Sequence, residues 1–280
     1  MMLSSVRLVT FDVTGTLMRH TGTVGEQYAT VICKYFNVNR SENVLDKAFR
    51  KTYREHVKLS PLFGSNHGIS AKQWWASVFY GTLLATDVIP ESRLKYVYHQ
   101  RIERPFLALD SKPSSRTSQL DKAFNDIYYN FQWEALPHAH EVLKLIYDEY
   151  KVKERKIVAV GAISNNDDRI SMILKNAGLA KFIDFVITSH EAGYEKPDPK
   201  IFQQAIDHAN NLKNPNQSNV FIKHLLHIGD SHEKDYLGAI KCGAQALLID
   251  NDKQQHSNGL PSHHVTDLNA VISYVKKRIN

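Results

Sequence analysis

One strand-like segment, VRLVTF (Val6–Phe11), stands more than a hundred mostly helical residues ahead of the next strand in the chain. From Gly22 to Phe131 apolar residues recur at three- and four-residue spacing, in EQYATVICKYF, NVLDKAFRKTYREHV, AKQWWASVFYGTLLA, RLKYVYHQRIE and LDKAFNDIYYNF. That is the period of helices with one buried face. The breaks fall at SPLFGSNHG and LALDSKPSSRTS, which have turn and loop composition. After Pro137 the texture changes. The strand-like runs KIVAVGAIS, FIDFVITS, HLLHIGDS and QALLID alternate with the helical runs DRISMILKNAGL, DPKIFQQAIDHAN and KDYLGAIKCG, after the helical EVLKLIYDEY and before the closing helix LNAVISYVKKRI. Short apolar strands alternating with helices predict a parallel sheet covered on both faces. The isolated first strand can join that sheet only if the helical stretch is an insertion. The expected fold class is therefore α/β, with a core domain from 1–18 and 136–280 and an inserted all-helical domain from 19–135.

Composition narrows the partners. The chain has 280 residues, 42% hydrophobic, enough for one large domain or one domain plus an insert. Charged residues make up 23%, which argues against wholesale disorder. The net charge of +6 raises nucleic acid as a partner, but the basic residues are scattered. The densest groups, KVKERK (Lys151–Lys156) and KKR (Lys276–Arg278), lie beside predicted helix ends and read as solvated termini. No nucleic-acid partner is expected. Two cysteines, Cys33 and Cys242, imply no disulfide framework and fit a reducing compartment. The first strand begins by Val6, which leaves no room for a signal peptide, and no apolar run approaches the ~18 residues of a membrane span. A soluble cytoplasmic protein with no membrane partner is expected; its oligomeric state is open. None of the 14 histidines has metal-site spacing, and HAH (His138, His140) and HLLH (His224, His227) read as loop and strand-flank residues.

Chemistry-bearing residues gather where strands end. Ligands of an open parallel sheet bind beyond the carboxyl ends of its strands. The first strand ends in Asp12, the second in Ser164-Asn165, the third leads to Lys196 in EKPDP, and the fourth ends in Gly229-Asp230 with Asp235 five residues on. Each feature alone is an ordinary turn or cap signal; their shared edge is what makes them a set. A phosphate monoester needs a nucleophile, a divalent cation and donors for its oxygens. Asp12, Asp230 and a backbone carbonyl near Thr14 suit Mg²⁺, a hard cation that takes oxygen ligands. Ser164, with Asn165 beside it, would donate to a phosphoryl oxygen, and Lys196 would neutralise charge. Gly15 allows a sharp turn after Asp12.

DVTGTL, ISN, EKPDP and GDSHEKD occur in the order of the four motifs of the haloacid dehalogenase superfamily, which the chain resembles over residues 6–18 and about 137–250. GEQYAT, HGISAKQWW and TSHEAGYEKPDPKIFQQAI further resemble its domain-containing protein 3 subfamily. The resemblance implies a Rossmann-like parallel-sheet core, with the helical insert as a cap that closes over the pocket and selects substrates. It assigns Asp12 as the nucleophile that forms an aspartyl-phosphate, and Ser164 and Lys196 as phosphoryl-binding residues. Asp12, Asp230 and the carbonyl of Thr14 become Mg²⁺ ligands, and Asp235 orients Lys196 and a water on the ion.

The sequence departs from that pattern at Thr14, where phosphatases of the superfamily carry an aspartate that shuttles the leaving-group proton. A threonine hydroxyl cannot do this near neutral pH, and such acid–base help is worth ~10²–10⁴ in rate. The expectation is a Mg²⁺-dependent hydrolase of a small phosphorylated metabolite, slow on alkyl esters and less impaired where the leaving group needs no proton. Two alternatives stand beside it, a non-catalytic phosphate-ligand binding protein and a 2-haloacid dehalogenase. Trp74, Trp75, Phe79 and Tyr80 share one predicted helix of the insert and are expected to pack its core rather than line a pocket.

Overall fold

The computed structural model describes residues 5–89, 117–250 and 263–279. The expected helix RLKYVYHQRIE and most of the loop LALDSKPSSRTS lie outside the described residues. The chain divides into two compact units, one formed by Met1–Arg19 with Glu134–Asn280, the other by His20–Trp133.

The first unit is built on a six-stranded sheet. Its strands are β1 (Leu8–Phe11), β4 (Ala159–Ser164), β5 (Phe185–Thr188), β6 (Leu225–Gly229), β7 (Gln245–Ile249) and β8 (His264–Val265). They lie in the order β5-β4-β1-β6-β7-β8, and every pair is parallel. The α/β expectation therefore holds. The first strand sits in the middle of the sheet, Leu8 facing Ala159 on one side and Leu225 on the other. All four residues of β1 are buried, as are all six of β4 and all five of β6. Strands enclosed on both faces read as continuous apolar runs, which is why the sequence shows them without alternation.

Helix Pro199–Leu212 covers one face, setting Ile201, Phe202, Ala205 and Ile206 against Leu8, Ile163, Phe185 and Leu225. Its start follows from its sequence: Asp198 accepts a hydrogen bond from the Lys200 N–H, and Pro199 occupies the first turn, where a missing N–H costs nothing. Helices Ala139–Leu145 and Leu268–Ile279 pack against each other. Each apolar side chain fully buried in these layers contributes roughly 1.5–3 kcal/mol.

The second unit contains helices α1 (Val24–Phe36), α2 (Glu42–Leu59), α3 (Ala71–Ala85) and α4 (Thr117–Asn130). Capping boxes start α1, through Thr23 and Glu26, and α3, through Ser70 and Gln73. Its core joins Tyr28, Ile32, Leu45, Phe79, Tyr80 and Phe124. Trp74 is buried against Phe63 and Val78, and Trp75 packs beside them. These aromatics serve helix packing, as their adjacency on one helix suggested. Two short strands, β2 (Met18–His20) and β3 (Trp133–Ala135), pair where the chain leaves and re-enters the first unit. With β8, they are too short to leave a period in the sequence.

Candidate active site

The parallel register brings the expected residues to one edge of the sheet. Asp12 follows β1 directly, and its N–H donates to the carbonyl of Ile228 on β6 at 2.8 Å, so the ladder itself fixes where the carboxylate starts. Ser164 ends β4 and is buried, paired in register with Thr188 of β5. Lys196, on the loop after β5, is 2% exposed. Its ammonium reaches Asp12 Oδ1 at 2.6 Å, Asp235 Oδ1 at 2.7 Å and the carbonyl of Ile163 at 2.7 Å. Those three partners use all three donors of the ammonium.

Asn165 holds that lysine from behind. Its Oδ1 accepts from the Lys196 N–H at 2.8 Å, and its Nδ2 donates to the Lys196 carbonyl at 2.9 Å. Both ends of the amide, expected to meet substrate, are committed to backbone.

Asp235 returns to the sheet through a widened turn. The Tyr236 N–H bonds the Ser231 carbonyl five residues back, at 3.1 Å, and the Ser231 N–H donates to Asp235 Oδ2 at 2.9 Å. Gly229 makes room for it, since a Cβ there would stand 2.3 Å from the Asp235 carboxyl carbon. Gly15 does the same for Asp230: with φ at +90°, a Cβ would lie 2.2 Å from Asp230 Oδ2. Thr16 Oγ1 donates to Asp230 Oδ1 at 3.5 Å, the long limit of a hydrogen bond. Thr14 is exposed, on the turn between Asp12 and Gly15.

Carboxylate oxygens of Asp12, Asp230 and Asp235 all lie within 4.8 Å of one another. Burial pushes the Asp12 carboxyl up to about 7; Lys196 opposes this, while Asp235 and Asp230 add to it. Burial, then the charge of Asp235, pushes Asp230 up to about 6. Burial works against the ionised form of Asp235 too, but Lys196 and His227 outweigh it and hold that carboxyl well below the usual range. For Lys196, burial is again the largest single influence and disfavours the charge, yet Asp12 and Asp235 together raise it above the ordinary lysine value.

These residues fit a divalent cation. Three carboxylates face one ammonium, which leaves two negative charges to neutralise. Asp12 Oδ2 is buried and has no hydrogen-bond partner among the described residues. An orphaned buried oxygen beside a second carboxylate is what a hard cation uses. Asp235 is a poor direct ligand because donors already occupy both its oxygens.

One residue of the network escaped the sequence reading. His227, a strand-flank residue by its sequence context, is instead fully buried in β6, with Nδ1 2.8 Å from Thr10 Oγ1 and Nε2 3.1 Å from Asp235 Oδ1. Its signal was available: an imidazole inside a buried apolar run must have partners on both nitrogens. His224 lies in the turn before β6, where its Nδ1 accepts from the Phe221 N–H. Cys33 and Cys242 are both free thiols. Among the described residues no helix is long and apolar enough to cross a membrane.

Comparison with known proteins bears on the family and the fold. A family profile described as haloacid dehalogenase-like hydrolase matches residues 6–243. Rhythmically expressed gene 2 protein of Drosophila melanogaster is 32% identical over 250 residues, covering 88% of this chain and 84% of the fly protein. Haloacid dehalogenase-like hydrolase domain-containing protein 3 of Homo sapiens is 29% identical over 244 residues, covering 87% and 82%. Among solved structures, a 2-haloacid dehalogenase from Pseudomonas syringae pv. Tomato superposes with a TM-score of 0.60 at 17% identity, covering 98% of this chain and 100% of that one. A putative hydrolase of the same superfamily from Bacillus subtilis, YfnB, bound to magnesium, gives 0.58 at 14% identity, covering 97% and 99%. At such identities these two structures speak to the fold.

Proposed function

The chain belongs to the haloacid dehalogenase-like hydrolase family, and from that premise we propose that it is a Mg²⁺-dependent phosphohydrolase acting on a small phosphorylated metabolite through Asp12. The observation that carries this reading is the charge arrangement: a carboxylate with one oxygen held by Lys196 and the other without a hydrogen-bond partner among the described residues, beside Asp230. A haloacid substrate would need no divalent cation, so the surplus of carboxylates favours a phosphoryl group.

Asp12, Asp230 and the carbonyl of Thr14 would hold Mg²⁺. Bound there, the ion neutralises carboxylate and phosphoryl charge so that two anions can meet. Asp12 attacks phosphorus; the new O–P bond forms as the bond to the leaving oxygen breaks, giving an aspartyl-phosphate. Water then attacks that phosphorus, freeing Asp12 and inorganic phosphate. Lys196 holds the carboxylate in place and screens the transferred group, Ser164 contributes a donor at the end of β4, and Asn165 fixes the Lys196 backbone. The helical unit takes the substrate-selecting role of a cap.

Thr14 shapes the outcome. No carboxylate stands two residues after Asp12, so nothing there protonates a departing alkoxide. Acetyl phosphate, whose leaving group needs no proton, is the better substrate on this account. The same feature favours a second reading, a phosphate-ligand binder without turnover.

The test is hydrolysis of p-nitrophenyl phosphate and acetyl phosphate by wild type and Asp12→Asn, each with Mg²⁺ or with EDTA. Wild-type turnover that needs the ion and disappears in the variant supports the reading. Equal rates in the two proteins reject it, and metal-dependent phosphate binding without covalent labelling of Asp12 selects the binder.

A further inference from the structure

We propose that His227 is a positioning residue: clamped between Thr10 and Asp235, its ring fixes the carboxylate that aims the Lys196 ammonium at Asp12. The kinetic consequence rests on the phosphohydrolase reading; the hydrogen-bond pattern does not.

Asp235 is held by donors from three elements. Its Oδ1 meets Lys196 Nζ at 2.7 Å and His227 Nε2 at 3.1 Å, and its Oδ2 accepts from the Ser231 N–H at 2.9 Å. The imidazole cannot turn away, because its other nitrogen meets Thr10 Oγ1 at 2.8 Å. Thr10 and His227 are register partners in the β1–β6 ladder, so the sheet sets that reach. The Phe202 ring closes the remaining side edge-on, with centroids 5.2 Å apart.

The chemistry dictates where the proton sits. The ionised Asp235 only accepts, so Nε2 must carry a hydrogen. Burial, with the nearby Lys196 charge adding to it, lowers the imidazole below its ordinary value against the pull of Asp235, which keeps the ring neutral. Nδ1 is then a bare lone pair and the Thr10 hydroxyl must donate to it. A flipped ring would set carbons against both partners. With all its own donors engaged, Lys196 has no slack: any drift of Asp235 changes how firmly the ammonium holds Asp12.

The experiment uses the full chain with Mg²⁺ and acetyl phosphate. His227→Phe keeps a ring and loses both bonds; His227→Gln keeps an N–H near the Nε2 position; Thr10→Val removes the outer donor alone. The expected result is about a tenfold fall in kcat for the phenylalanine variant with KM within about twofold, recovery to within about threefold of wild type for glutamine, and an intermediate value for valine. A residue that only fills space would not show recovery by glutamine. Ring ¹H–¹⁵N spectra of the wild type should show a proton on Nε2 and none on Nδ1. A proton on Nδ1, a doubly protonated ring at pH 7, or equal kcat in the phenylalanine and glutamine variants overturns the inference. Should the phenylalanine variant not fold, the valine variant and the spectrum decide. Should wild type show no turnover at all, the phosphohydrolase reading fails and the spectrum alone judges the clamp.

Discussion

Asp12 has two neighbourhoods. Toward the interior it meets Lys196, which meets Asp235, which meets His227 and Thr10, through contacts of 2.6–3.1 Å between buried groups. Toward solvent it meets the Thr14–Thr16 turn and Asp230, where Thr14 is exposed and the contact from Thr16 to Asp230 stretches to 3.5 Å. The interior side is a buried hydrogen-bonded frame in which one ammonium bridges two carboxylates. The outer side has an exposed residue, Thr14, at the position where the superfamily's phosphatases carry an aspartate. On the proposed function, the first side pre-organises the carboxylate and the second would take the metal and the leaving group.

Breaking the interior side should have the largest effect. Lys196→Met leaves Asp12 and Asp235 facing each other without a counter-charge, and removing one partner of a buried ionic group costs roughly 3–5 kcal/mol. Urea unfolding at pH 7 measures it; a loss under about 1 kcal/mol would mean that the frame is not what it looks like.

On the outer side, Thr14→Asp should raise turnover of alkyl phosphates by about a hundredfold while changing stability by less than ~0.5 kcal/mol, because the position is exposed. An unchanged or lower rate counts against the role given to Thr14. The two sides then meet in metal affinity. Asp12, at about 7, and Asp230, at about 6, take up protons as pH falls, and those protons compete with the cation. Mg²⁺ affinity by calorimetry should therefore drop at least about tenfold between roughly pH 7.5 and 5.5. A flat profile would show that neither carboxylate is a ligand. The smallest effect belongs to Thr16→Val, which removes only the 3.5 Å contact and should shift Mg²⁺ binding by less than ~1 kcal/mol. A larger shift would erase the contrast between the two sides.

The strand-end residues of the site are more legible in the sequence than the contacts that hold them. Asp12, Ser164 and Asp230 stand at the ends of apolar runs and Lys196 on the segment that follows one, so strand periodicity and the parallel-sheet rule are enough to bring them to one edge. Asn165 looked like a substrate contact because an amide at a strand end has free polar atoms in sequence; which backbone it clamps depends on a loop 31 residues away. The distance from Asp230 to Asp235 was legible, but the widened turn that swings Asp235 onto His227 was not, since no residue pattern marks a five-residue hydrogen bond. His227 was hidden by its neighbours: inside LLHIG it resembles a flank unless one asks what satisfies it.

The central place of β1 has a consequence for synthesis. Its partners on β4 and β6 lie 151 and 217 positions downstream of Leu8, so the ribosome delivers the middle of the sheet first and both its neighbours much later. At typical elongation speeds the nascent LVTF segment waits about ten seconds or more for β6, an apolar strand with both edges open. The helical unit can collapse during that interval because its contacts are local, whereas the sheet must close around its oldest strand from both sides.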